Sequence, residues 1–228
     1  MSKSSKTIRE ESQIPKTSKL IQVCFHILFF VTPLLLWPYT SEVFEFNKMI
    51  FVYLITAIIG TAWIINSLQN KKFELAKTPL DIPLSLFVVS QTLSTIFSFD
   101  RHTSLWGYYS RFHGGLISTL CYVILFYAFV THFSHQSKAL RAIIRTIFAT
   151  AIITAIYAIL EHLGIDKHVW VQDVQNRVFS TLGQPNWLSA YLVALLPISL
   201  YYTFFSQNKN LKLLYFATSL LYLVSIIF

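Results

Sequence analysis

Seven runs of mostly apolar residues, each close to the length of a membrane-crossing helix, constrain this chain more than any other feature. They cover residues 20–39, 49–68, 82–99, 115–133, 144–163, 187–205 and 211–228. A helix needs about 20 such residues to cross a hydrocarbon core about 30 Å thick. The third run is the most diluted, by Gln91 and several Ser and Thr, with Asp81 just before it; the seventh reaches Phe228. Hydrophobic residues make up 54% of the chain and charged residues 12%, against about 25% charged in an ordinary soluble domain. A water-soluble fold cannot hide that much apolar surface, whereas lipid lets helices be apolar all round. The expected fold is therefore all-α, a polytopic transmembrane helical bundle with six to seven spans.

The basic residues orient it. With the N-terminus cytoplasmic, the inner segments hold Lys3, Lys6, Arg9, Lys16, Lys19, Lys71, Lys72, Lys77, Lys138, Arg141, Arg145, Lys209 and Lys212. The outer segments then hold only Lys48, Arg101, Arg111, Lys167 and Arg177. This is the excess that cytoplasmic loops carry. Residues 1–19 form a polar basic tail, and a small-residue cleavage site is missing after the first run, so a retained span is expected there and not a signal peptide. The net charge of +8 has the same origin. The charges are scattered among short loops, which argues against nucleic acid as a partner. Cys24 and Cys121 sit inside apolar runs and read as inert thiols, not as a disulfide or a metal site.

Chemistry, if present, belongs to the outer loops. Residues 100–114 contain Arg101 and Arg111, and residues 164–186 contain Arg177 and then Ser180-Thr181-Leu182-Gly183-Gln184-Pro185-Asn186. A guanidinium is a planar, permanently charged fork suited to phosphate, and an Arg on the outer face runs against the charge bias. The alternative is that these arginines reach lipid headgroups or pair with Asp100 and Asp173. His102, His113 and His168 read as solvated side chains. Metal-ligand spacings, phosphate-binding glycine loops and hydrolase motifs are missing, so neither metal nor cofactor is expected. Glu161-His162 closes the fifth run. Gly183 and Pro185 mark a turn, with Asn186 as a candidate N-cap for the span that follows. A helix start of this kind, with Arg177 nearby, can receive an anion.

These residues resemble the N-terminal part of the O-antigen ligase and polymerase superfamily, multi-span bacterial glycosyltransferases of the plasma membrane. The likeness rests on residues 33–48, with Val43-Phe44-Glu45-Phe46-Asn47-Lys48 leading into the second span. It rests also on residues 104–115, where Arg111 precedes Gly114-Gly115, and most of all on residues 177–186, which are similar to the family's Arg, aromatic, small, Thr, x, Gly, x, Pro, Asn pattern. Glu161-His162-Leu163-Gly164 fits the approach to that motif, although the family often has Gln at the position of Glu161. The resemblance implies a polyprenyl-diphosphate-linked glycan as donor, held in membrane lipid and transferred to an acceptor on the outer face. Arg177 carries over as the diphosphate-binding residue, with Arg111, Arg101 and Asn186 as weaker candidates. Family members continue beyond this point with further spans and a large outer loop that bears a His. None of His102, His113 or His168 matches that His, so the resemblance implies an N-terminal part that is inactive alone. A small multi-span transporter, broken at Pro83 or Pro197, and a non-catalytic membrane scaffold are the alternatives.

Overall fold

Backbone that faces lipid must satisfy its own hydrogen bonds, and a single chain segment does so only as a helix. The computed structural model describes residues 16–134 and 136–228. These form α1 (Lys16–Leu34), α2 (Glu45–Asn70), α3 (Asp81–Ile96), α4 (Arg101–Trp106), α5 (Leu116–Phe133), α6 (Ser137–His162), α7 (Pro185–Phe205) and α8 (Lys209–Ile227). A 3₁₀ turn, Ser180–Leu182, lies between α6 and α7. All but α3 and the short α4 are long and apolar enough to cross a membrane. The chain is a multi-pass helical membrane protein. Of the expected tail, residues 1–15 lie outside the described residues, and the remainder belongs to α1.

Two ends of the bundle follow from contacts. At one, the Ala76 N–H donates to Thr131 Oγ1 near the end of α5, and Gln22 Nε2 donates to Gln136 Oε1 between α5 and α6. This basic end also carries the loop between α7 and α8. At the other, the loop end, the segments before α2, before α5 and before α7 meet. α3 has 16 residues, about 24 Å at 1.5 Å per residue. It starts beside Tyr127, whose hydroxyl donates to Asp81 Oδ1 at 2.9 Å, and returns the chain to the loop end. α4, inside the 100–114 loop, was not anticipated. Its N-cap is Asp100, whose carboxyl accepts from Thr103 Oγ1 and from the Thr103 N–H at 3.1 Å. Those hydrogen bonds hold the Asp100 carboxyl below the usual carboxylate range.

Three local signals set boundaries that hydropathy alone misplaces. α1 stops at Leu34 because Pro33 and Pro38 flank the exit, and the chain turns back with Trp37 N–H donating to the Val43 carbonyl at 3.0 Å. α2 begins before the apolar run, at Glu45, because the Glu42 carboxylate accepts from the backbone N–H groups of Phe44 and Phe46 at 3.2 and 2.6 Å. The third is a correction. Asn186 is not the N-cap of α7; Gln184 is, and Pro185 occupies the first helical position. Proline is favoured there because its missing N–H would be unpaired anyway and its φ is already helical. α7 runs unbroken through Pro197, and Pro83 falls in the first turn of α3, where proline is tolerated.

The interior forms two apolar groups. Ile21 and Phe25 of α1 pack with Ile59 and Trp63 of α2, Phe133 of α5 and Ile143 of α6. Farther along α6, Phe148, Ala151, Ala155 and Ala158 meet Leu188 and Leu192 of α7 and Tyr222 of α8. The three alanines are fully buried; small side chains let helices approach closely where lipid offers no hydrophobic drive to associate.

Candidate functional site

The loop end gathers most of the charges that do not lie at the basic end. Arg111 Nε sits 3.0 Å from Glu45 Oε2, and His113 Nε2 sits 3.3 Å from the same oxygen. The Glu45 side chain is only 10% exposed, against 47% for Arg111. The guanidinium of Arg111 also lies over the Trp187 ring, 6.0 Å from its centre. One residue before Trp187, Asn186 Oδ1 accepts from Arg177 Nη2 at 2.9 Å. Arg111 and Arg177 therefore converge on neighbouring positions in the first turn of α7. Lys48, one turn into α2, donates to the Thr181 carbonyl at 2.5 Å and lies 5.7 Å from the Phe44 ring centre.

Backbone geometry fixes the turn that presents Arg111 and His113. Gly107, with φ +89°, lies against the His113 carbonyl, and a Cβ on Gly115 would fall 2.4 Å from the Gly107 nitrogen. Between the two functional side chains, Phe112 holds a left-handed φ of 56°, uncommon for a bulky residue and costly unless the surroundings impose it. They do: the Tyr53 hydroxyl donates to the Phe112 carbonyl, and the Phe112 ring packs edge-on to Phe46 and Trp106.

The segment that carries Arg177 is pinned from below. Glu161, fully buried at the end of α6, accepts from the N–H groups of Phe179 and Ser180 at 2.9 and 2.7 Å. Ser180 Oγ donates to the Thr154 carbonyl, and Thr181 Oγ1 donates to the Pro33 carbonyl, each at 2.8 Å. Phe44, Trp170 and Phe179 form an aromatic group beneath it. The Trp170 indole N–H in turn donates to Asp166 Oδ2 at 2.6 Å.

Beside this cluster, a cavity of about 400 Å³ is lined by Thr32, Glu45, Lys48, Met49, Val52, His113, Tyr122, Leu182 and Trp187. Its wall is apolar apart from a few convergent polar groups, the usual make-up of a small-molecule site. Thr32 Oγ1 and Glu45 Oε1 are buried there without a hydrogen-bond partner among the described residues. Polar atoms left so cost stability unless a ligand or water meets them.

Of the residues singled out from the sequence, Arg111, Arg177 and Asn186 come together. Arg101 does not join them: it is the first residue of α4, exposed, and among the described residues its side chain makes no hydrogen bond or ion pair. The alternative pairing of arginines with Asp100 and Asp173 is not formed either. Asp100 caps α4, and Asp173 accepts from Asn176 and the Gln175 N–H. His113 is no merely solvated side chain, since it shares Glu45 with Arg111. Sequence reasoning passed over Glu45 and Lys48. The available signal was two ionisable residues one turn apart at the edge of an apolar run, a place where charge is rarely idle. Cys24 and Cys121 are both free. Among the described residues, no group of three or more His, Cys, Asp or Glu side chains is arranged to hold a metal ion. Compared with protein-family models, with curated proteins and with solved structures, the chain matches none.

Proposed function

We propose that this protein holds a polyprenyl-diphosphate-linked glycan at its loop end, in the manner of the O-antigen ligases and polymerases of the bacterial plasma membrane, for transfer of the glycan to an acceptor hydroxyl. The observation that carries the reading is the convergence of Arg111 and Arg177 on the first turn of α7, next to a mostly apolar cavity lined by residues of α1, α2, α5 and α7. A lipid-linked diphosphate needs both: an apolar channel for the prenyl chain and fixed cations for the phosphates. Each guanidinium uses one N–H group on a protein partner, which leaves other donors of the fork for phosphate oxygens. The start of α7 adds backbone N–H groups and the positive end of a helix dipole.

In the transfer, the acceptor oxygen bonds to the anomeric carbon while the bond from that carbon to the diphosphate oxygen breaks, and the hydroxyl proton passes to solvent. Charge gathers on the departing diphosphate. Guanidinium groups already fixed in position stabilise that charge without reorganising, which is where such groups lower a barrier most. Transport would be favoured by a helix broken at Pro83 or Pro197, and neither helix breaks there.

The test is binding of a polyprenyl diphosphate to the purified protein in detergent or nanodiscs. Arg177→Ala is expected to weaken it by about tenfold or more, the loss of one charge-assisted hydrogen-bonding partner. Arg101→Ala is expected to leave it unchanged. Equal affinity for wild type and Arg177→Ala would count decisively against the diphosphate role.

A further inference from the structure

α6 and α8 run side by side in the same direction, with α8 starting level with the second turn of α6 and His162 and Phe228 stacked at their far ends, 3.8 Å between ring centres. Each carries a stripe at helical spacing. On α6 it is Arg141, Arg145 and Phe148; on α8 it is Lys209, Lys212 and Tyr215. Residues three and four apart share a helix face. The aromatic ends of the stripes touch, with Phe148 and Tyr215 rings 5.3 Å apart. The charged ends fan outward: Arg141, Arg145, Lys209 and Lys212 are all exposed.

Arg145 is the informative residue. It lies about 12 Å along α6 from Ser137 at 1.5 Å per residue, inside the stretch apolar enough to span. Its side chain folds back toward the helix start, with Nε donating to the Arg141 carbonyl at 3.3 Å, the direction of a cation seeking the headgroup layer. Protein anions cannot serve it from these helices. From residue 101 to residue 160 the chain has no Asp or Glu, and α7 and α8 have none. Of the acids at this end among the described residues, Glu74 pairs with Lys72 and Asp81 is bonded by Thr78 and Tyr127.

We propose that the exposed basic face formed by the first part of α6 and the start of α8 is a binding site for an anionic phospholipid. Its phosphate sits among Arg141, Arg145 and Lys212, and its acyl chains lie along the exposed apolar flanks of the two helices. The surroundings select a lipid over a free anion: the cations stand beside exposed apolar side chains such as Leu211, Leu213 and Leu214, and basic sites between transmembrane helices suit lipid headgroups. The site is at the opposite end of the bundle from the proposed donor site and does not rest on that reading.

The test uses the full chain in detergent with phosphatidylglycerol or phosphatidylcholine added, and retention read by native mass spectrometry. Wild type is expected to prefer phosphatidylglycerol, and the double variant Arg141→Gln with Arg145→Gln to lose about tenfold of that preference. Lys209→Gln with Lys212→Gln reads the second stripe and serves if the first variant does not fold. Lys71→Gln with Lys72→Gln, at the same end but in the loop after α2, is expected to change nothing. An equal loss in that control would overturn the site in favour of general charge attraction. Inorganic phosphate displacing the lipid at matching concentration would overturn it in favour of a free anion.

Discussion

At the scale of single residues, the loop end depends on glycines that no hydropathy pattern reveals. Gly183 has φ +84°, and a Cβ there would lie 2.4 Å from Phe44 Cγ. Gly183→Ala should cost about 1–3 kcal/mol from backbone strain and displacement of the ring, read as a lower thermal midpoint of the purified protein. Gly60→Ala is the contrast. Nothing lies within 4 Å of its added methyl and it sits inside α2, so it should stabilise by up to about 1 kcal/mol. A second test concerns Glu45. Arg111→Ala leaves that mostly buried carboxylate without its nearest cation; because Arg111 is half exposed and screened by water, the expected loss is about 1 kcal/mol. Adding Glu45→Gln should recover part of it, and a double-mutant cycle in thermal unfolding measures the coupling. If the two losses simply add, the pair is not energetically joined. Arg177 and Arg111 stood out in the sequence as guanidiniums of two separate loops, and the fold brings both to the first turn of α7. Glu45 did not, because its partners lie on loops far along the chain, and only the fold brings residues 45, 111 and 113 to one point.

Elements position these residues through a few buried polar contacts. Glu161, the last acid of α6, holds the 177–186 segment by two backbone hydrogen bonds to one oxygen. Each such hydrogen bond contributes about 0.5–1.5 kcal/mol net, so the two together hold the segment by about 1–3 kcal/mol. Glu161→Ala should therefore speed hydrogen exchange at the Phe179 and Ser180 amides by about tenfold or more, whereas Glu161→Gln, which keeps an acceptor oxygen, should have a smaller effect. Identical exchange in the Ala variant would mean that the aromatic group of Phe44, Trp170 and Phe179 holds the segment unaided. The sequence placed this carboxylate at the end of a span but not its function, since which backbone amides fold back over a helix end is a tertiary fact. Helix existence was far easier to read than helix limits. Apolar runs reveal the part of a helix in lipid; the caps that extend α2 to Glu45 and start α7 at Pro185 are polar or proline signals just outside the run.

For the whole molecule, the decisive element is the one that hydropathy reads least well. α3 has none of its residues buried and is short for a crossing, yet the chain enters it beside Tyr127, in the second half of α5, and leaves it toward α4, whose Leu105 lies against Gly115 at the start of α5. If α3 lay flat at one surface, every loop after it would change sides, and Arg111 could not reach Glu45 as it does. The charge bias and the contacts thus make one joint claim: residues 35–44, 97–115 and 163–184 face one side, and residues 71–80 and 206–208 face the other. Single cysteines at Lys77, Tyr109, Val171 and Gln207, in a background with Cys24 and Cys121 replaced by alanine, test it with a membrane-impermeant thiol reagent on intact cells. Tyr109 and Val171 are expected to label from outside, and Lys77 and Gln207 only after the membrane is opened. Labelling of Lys77 and Tyr109 from the same side would remove α3 as a crossing, and with it the meeting of the three loops on which the candidate site depends.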